Sequence, residues 1–304
     1  MARLGAAQGP AEPRTLPLPA TPRLTAGLAV LVVAAPLHLA AQSVDPHAVQ
    51  PERPTVATHA GTVAPGWLEI ETGLELDRLP NGANAAGVPT VLKLGVVRRV
   101  QLGIGLPLVA PTGAALGAGD VTVGIKWRLL ENAGPLGDFA VLPTLKLPTG
   151  SESAGRGTGT TDVSLLLISS HASGAVAMDL NAGITRRSGD GTATPRTATV
   201  WTASFGFPVR GRLAGVGELY GYPRTTGPAG SADIVALLGG PTWKARDWLV
   251  FDAGVIVPVT GPQPKALYAG LTWNAGRYWP GGRRRPPPPG PPPNVAGFLI
   301  RSGR

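Results

Sequence analysis

Four histidines are the first residues to weigh for chemistry: His38, His47, His59 and His171. None lies mid-strand beside an acid, so a histidine metal site has little support. The chain has no cysteine, which excludes disulfides and thiolate metal sites. Ser169 and Ser170 precede His171, the closest approach to a nucleophile beside its base. Adjacent strand residues face opposite sides, so His171 cannot serve Ser170 directly. Ser169 shares its face, but the sequence names no third partner to orient the ring. Gly155-Arg-Gly-Thr-Gly159 has the glycines of a phosphate loop but lacks the Lys-Ser/Thr ending and a following helix, so it reads as loop. An enzyme, a cofactor and a metal are therefore not expected.

What remains is a set of charged and amide residues that alternate with apolar ones: Glu69, Glu71, Glu75, Lys93, Lys126, Arg128, Lys146, Asp179, Asn181, Glu218 and Asp252. In Val121–Leu129 the odd positions are apolar, while Thr122, Gly124, Lys126 and Arg128 are small or charged. In Leu68–Leu76 the three glutamates fall on one side, and Asp179 with Asn181 opposes Met178, Leu180 and Ile184. Such alternation sets one sheet face in an apolar medium and the other in a polar one. A Lys or Arg facing mid-membrane lipid costs roughly 2–4 kcal/mol, so on a membrane sheet these residues point into a lumen. Their mixed signs fit a solute-selective path and, equally, a narrow barrel filled by its own ion pairs.

The elements that position them are twelve short apolar segments, at about 67–78, 88–97, 100–108, 119–130, 139–147, 161–170, 175–186, 197–208, 212–222, 232–244, 248–258 and 265–278. Their connections alternate in length. Arg98-Arg99, Glu131–Asp138, His171–Gly174, Arg210-Gly211 and Ala245–Asp247 are short. Between them run longer loops at 79–87, 109–118, 148–160, 187–196, 223–231 and 259–264, rich in Gly, Pro, Asn, Thr and Ser. Up-and-down membrane barrels have short turns at the periplasmic rim and long loops outside. The expected fold is all-β: a transmembrane up-and-down antiparallel β-barrel of about twelve strands, both ends on the short-turn rim. Three strands end in Pro111-Thr-Gly113, Pro148-Thr-Gly150 and Pro258-Val-Thr-Gly261, which read as punctuation. A secreted sandwich would leave the charged faces uncovered.

On this topology Trp67, Trp127, Trp243, Trp248 and Trp279 all fall at the short-turn rim, where interface aromatics are expected. Tyr220 and Tyr222 fall at the opposite one. Parity places Trp67 and Trp248 on the polar face rather than the lipid face.

The ends divide the chain further. Residues 1–41 carry Arg14 and Arg23 before the apolar run Leu24–Leu39 and exit through Ala40-Ala41, the pattern of an export signal with an N-terminal extension. A membrane anchor fits less well, given Pro36 and His38. Residues 42–66 read as an extended periplasmic lead-in, 67–279 as the barrel, and 280–304 as a Pro/Arg-rich disordered tail. The formal net charge is +9, but without 1–41 and 280–304 there are 19 basic and 17 acidic residues, so no nucleic-acid footprint is expected.

The chain also resembles a family. Pro65-Gly-Trp-Leu-Glu-Ile-Glu-Thr-Gly73 is similar to the opening strand of outer-membrane proteins encoded with meta-pathway phenol degradation genes. Leu145-Lys-Leu-Pro-Thr-Gly150, Gly157-Thr-Gly159 and Asp162 resemble that family's central signature, and Gly119-Asp120 with Lys126 its fourth strand. The resemblance covers roughly 53–278. It implies a transporter-like barrel of the bacterial outer membrane, with lipid around it and small organic solutes as cargo, and it brings no catalytic residues. The tail departs from it. The expected function is passive passage of small organic, aromatic or hydrophobic solutes through a polar lumen, with loop 148–160 limiting access. The alternative is a structural or adhesive barrel with a plugged lumen.

Overall fold

The computed structural model describes residues 45–279. The export-signal stretch 1–41 and the tail 280–304 lie outside the described residues. Fifteen strands form one sheet. They are β1 (Trp67–Arg78), β2 (Asn84–Val88), β3 (Thr90–Val97), β4 (Val100–Gly105), β5 (Leu108–Ala110), β6 (Gly117–Ala118), β7 (Val121–Leu130) and β8 (Asp138–Leu147). There follow β9 (Asp162–Ser173), β10 (Val176–Arg187), β11 (Thr197–Arg210), β12 (Leu213–Tyr222), β13 (Ile234–Arg246), β14 (Leu249–Thr260) and β15 (Lys265–Arg277). Each pairs antiparallel with its neighbour, and β15 pairs back onto β1 from Trp67↔Arg277 to Arg78↔Lys265. The sheet is therefore a closed barrel of twelve strands, built from β1, β3, β4, β7 and β8 to β15.

The remaining three, β2, β5 and β6, extend the wall beyond interruptions. Three stretches expected to be continuous, 88–97, 100–108 and 119–130, are broken at Pro89, at Leu106-Pro107 and at Gly119-Asp120. Proline has no N–H to give the ladder. Below the first break β1 pairs with β3, and above it β1 pairs with β2. The small strands occupy what reads in sequence as loops 79–87 and 109–118.

Two of the tight turns, expected at 171–174 and 245–247, are tighter than expected, while Arg98-Arg99 stands as read. Strand β9 runs through His171 to Ser173, leaving Gly174-Ala175 as the turn, so His171 is a strand residue. Gly174 and Gly211 both adopt φ of 59°, the left-handed region that two-residue hairpins demand. The one longer short-rim link holds a 3-10 turn at Gly134–Leu136.

The barrel is inverted relative to a soluble protein. Glu69, Glu71, Lys93, Gln101, Lys126, Asn181, Glu218, Asp252, Thr272 and Asn274 are buried. On the same barrel Ile125, Leu165, Leu167, Leu180, Ile184, Leu237, Val255 and Leu267 are exposed. Only an apolar solvent outside and a polar filling inside make that arrangement favourable. Closure matters equally, since an open edge in hydrocarbon leaves backbone groups unpaired.

Leu167, at the middle of β9 on the outer face, tests this. Leu167→Arg is expected to cost roughly 2–4 kcal/mol of folding free energy, the price of a cation at mid-bilayer. Equilibrium unfolding from phospholipid vesicles measures it, and a neutral effect would place the residue in water.

Candidate functional site

The lumen is occupied by the chain itself. Residues 45–66, expected outside the barrel as a periplasmic lead-in, run up its interior and back. The correction follows from where their hydrogen bonds go. Gln50 N–H donates to Glu69 on β1 at 2.7 Å, and Glu52 N–H to Glu71 at 2.7 Å. Val56 and Ala57 N–H both donate to the Glu218 carboxylate on β12, at 2.8 and 2.7 Å. Thr58 exchanges bonds with the Asn181 amide on β10, at 2.8 and 2.9 Å. Ala60 N–H reaches Ser170 Oγ on β9 at 2.7 Å, and Val63 N–H reaches Gln101 Oε1 on β4 at 3.0 Å. These partners lie on strands around the whole ring, which only a segment inside it can meet.

The physical reason is a need for acceptors. An extended segment without a neighbouring strand has bare N–H groups, and a buried bare N–H is costly. The inner wall supplies carboxylate, amide and hydroxyl oxygens where a sheet would supply carbonyls. The segment's small apolar residues Val49, Ala57, Ala60 and Val63 are at most 6 % exposed.

Ion pairs lock the same contacts. Lys93 Nζ lies 2.5 Å from Glu69 and 2.8 Å from Glu71, and donates to Gln50 O at 2.6 Å. Lys126 pairs with Glu52 and donates to Thr58 Oγ1 and His59 O. Arg53 reaches across to Asp252 on β14 at 3.1 Å. Two wall glycines make room: a Cβ on Gly270 would lie 2.5 Å from the Arg53 guanidinium, and one on Gly95 would lie 1.9 Å from Ala64 O. Gly95 is thus where the returning segment presses backbone against backbone.

The expected lumen residues do not all share one role. Glu69, Glu71, Lys93, Lys126, Asn181, Glu218 and Asp252 hold the N-terminal segment. Arg128 instead joins a network at the short-turn rim, with Glu131 at 2.9 Å and Asp138 at 3.7 Å; Arg99 grips the same Glu131. Asp179 accepts from Ser170 Oγ at 2.6 Å. Glu75 faces a cavity above the segment.

Lys146 belongs to the loop-side rim. Its ammonium lies 2.7 Å from Asp120 and 3.6 Å from Asp162, and donates to Thr158 Oγ1 and Thr160 O. Asp120 in turn accepts from the N–H groups of Gly150 and Thr158, both at 3.0 Å. The short motifs Gly119-Asp120, Lys146–Gly150, Gly157–Gly159 and Asp162 therefore meet in space and fold loop 148–160 back onto the wall. Burial opposes ionisation of Asp120, but Lys146 and these N–H donors outweigh it and hold its carboxyl below the ordinary value.

The aromatic residues also divide. Trp127 and Trp243 face outward at the short-turn rim, each about half exposed, and Trp243 stacks on Phe251. Trp279, the most exposed, lies past the end of β15. Trp67 and Trp248 face inward, as their parity requires, and their rings sit 4.9 and 6.2 Å from the His47 imidazole. They hold the base of the lumenal segment rather than an outward aromatic ring. Trp273, which the rim pattern left out, is an outward residue of β15. Ser169 and His171 hydrogen-bond at 2.8 Å on the outer face, and Ser169 Oγ also donates to Leu136 O, a tie across the turn. Among the described residues no cluster of three His, Asp or Glu side chains is placed to hold a metal.

Above the tip of the segment, toward the long loops, lies a cavity of about 420 Å³. Its floor is the chain from Glu52 to Thr58. Its wall is partly apolar, with Tyr220, Tyr222, Leu238 and Ile256 on one side and Val91 and Pro89 on the other. Tyr220, Leu238 and Ile256 pack with Ala236, Ala266 and Tyr268 into an apolar patch on the inner surface. A second apolar cluster, Ala140 and Ile168 with Leu142 and Leu166, packs around Ala60 of the segment.

A family model described as "Putative MetA-pathway of phenol degradation" matches residues 53–272. The chain belongs to this family. Its fold is that of the COG4313 outer membrane channel from Pseudomonas putida F1, with a TM-score of 0.54, 13% identity, and coverage of 71% of this chain and 97% of that one. More distant likenesses are the NanC porin, at TM-score 0.47 and 8% identity over 68% of this chain and 98% of that one, and the KdgM porin in complex with disordered oligogalacturonate, at 0.46 and 9% over 67% and 98%. No curated protein matches the chain.

Two outcomes test the site. Glu218→Ala removes the acceptor of the buried Ala57 N–H and the part-buried Val56 N–H, each such bond being worth about 1.5–3 kcal/mol. Hydrogen exchange at Val56 and Ala57 is expected to quicken roughly 10- to 150-fold, read by mass spectrometry on the folded barrel. The Asp120 anchorage has a pH signature. A depressed carboxyl stabilises above the ordinary aspartate range near about 4 and ceases to do so as pH falls through the folded-state value. Proteolysis within 151–156 is therefore expected to rise only below about pH 4, and to be fast at all pH values in Asp120→Asn.

Proposed function

We propose that the protein is an outer-membrane channel, exported through its N-terminal signal, that passes small organic solutes with aromatic or hydrophobic surface by diffusion. The observation that carries this reading is the loop-side cavity. Its volume of about 420 Å³ suits a single small molecule. Tyr220, Tyr222, Leu238 and Ile256 offer it an apolar wall, and Glu75 and Gln263 offer polar contacts. Membership of the family and the outward-facing apolar belt support the location.

The lumenal segment sets the mechanism. A solute entering from the long loops meets Glu52–Thr58 as a floor, so onward passage requires the segment to withdraw from Glu218 and Asn181. The lumenal charges then act first as holders of the segment and only afterwards as the lining of a path. The filled lumen also favours a second reading, a plugged structural barrel that transports nothing.

Vesicle permeation separates them. Barrels carrying the full chain are expected to admit phenol-sized solutes slowly, and barrels lacking residues 45–63 to admit them faster. Leu238→Glu, which puts a charge in the apolar wall, is expected to slow aromatic solutes more than sugars of the same size. Vesicles that stay sealed to every solute with the full chain, yet leak once residues 45–63 are removed, would establish the plugged reading.

A further inference from the structure

On the outer wall of β10 the apolar stripe ends in an arginine. Leu180, Ala182 and Ile184 face outward and are exposed, and the next outward residue is Arg186. At about 3.4 Å per residue, its Cα stands roughly 7 Å beyond that of Ile184, toward the long loops. Across the ladder Arg186 registers with Thr197 and Ile184 with Thr199, both on the outer face of β11. Arg186 donates to Thr197 Oγ1 at 2.7 Å. Arg196, from the loop before β11, and Arg224 with Thr225, from the loop after β12, complete a cleft of about 370 Å³.

Three guanidinium groups thus line one cleft, and among the described residues none of them forms an ion pair. The adjacent Arg187 shows the contrast: it faces inward and pairs with Asp162 at 3.3 Å. The carboxylate that lines the cleft, Asp190, accepts from Thr192 N–H at 2.9 Å and Thr192 Oγ1 at 2.6 Å, and Arg196 acts on it from beyond ion-pair distance. Guanidinium groups match phosphate in charge and in fork geometry, and basic pockets at headgroup height bind anionic lipid. Three of the cleft's lining residues, Arg186, Thr197 and Thr199, stand on the outer face of the wall. The cleft stands directly over the apolar stripe, where acyl chains attached to the same molecule would lie.

We propose that Arg186, Arg196 and Arg224 form a binding site for the phosphorylated headgroup of an outer-leaflet glycolipid, whose chains lie along the outer faces of β10 and β11. The site depends on lipid bathing the outer wall and is independent of whether the lumen conducts.

The test uses the full chain folded in detergent, with native mass spectrometry counting bound diphosphoryl lipid A and its dephosphorylated counterpart. The phosphorylated form is expected to bind at least roughly tenfold more tightly, as the loss of a charge-assisted pair implies. The triple variant Arg186→Gln, Arg196→Gln, Arg224→Gln is expected to lose that preference, while its heat-dependent gel shift and its solute permeation match those of the parent. Arg224→Gln alone, on a loop outside the ladder, is expected to weaken binding severalfold and guards against a fold defect in the triple variant. Equal binding of the two lipids, or full binding by the triple variant, overturns the proposal. So does displacement of bound lipid A by an equal concentration of inorganic phosphate, which would make the cleft a site for the free anion.

Discussion

Everything in this molecule depends on the seam between β1 and β15. A membrane sheet cannot leave an edge open, because no water is present to take the unpaired N–H and C=O groups. The seam runs from Trp67↔Arg277 to Arg78↔Lys265 with one bulge near its base. Closure fixes an inside and an outside, and the two-residue period of each strand then sorts side chains between them. Residues that would be a soluble protein's core become its surface, and the lumen inherits the charges.

A closed ring of charges needs partners, and a narrow barrel has little water to provide them. Here the chain's own N-terminal segment provides them. Its backbone donors meet oxygens from five strands, and its Glu52 and Arg53 meet Lys126 and Asp252. The lumen is consequently a set of side-chain to backbone bonds laid around an extended thread. Where the thread turns back, the wall changes character to tyrosine, leucine and isoleucine, and a solute-sized space opens.

The barrel was legible because alternation and loop length are local properties of the chain. Strand number, the short and long rims, and the inward sense of Glu69, Lys126, Glu218 and Asp252 all followed from period and spacing. The breaks at Pro89 and Pro107 were visible as residues but not as consequences, since a ladder can resume after losing one donor. The lumenal segment was harder to see. Residues 45–66 are polar and Pro-rich and carry no period, so locally they look like any linker. Their partners lie as far as 228 positions away, as for Pro46 and Asn274. One signal did exist. The inner-face set holds Glu69, Glu71, Glu75, Asp179, Glu218 and Asp252 against only Lys93, Lys126, Arg128 and Lys146. Surplus carboxylates imply donors from elsewhere. The Lys146 motif was legible as a motif, but its meaning, a knot holding a loop to the wall, required Asp120 and Thr158 to be brought together in space.

The route of the thread carries a consequence for assembly. It precedes β1 in the chain, yet it docks against strands as late as β14 and β15, including Asp252 and Asn274. Those late strands must be synthesised and in register before the beginning of the chain can settle. Loop-closure entropy makes contacts between distant residues slow to form. The first described residues thus reach their native partners only once the last strands stand in the ring.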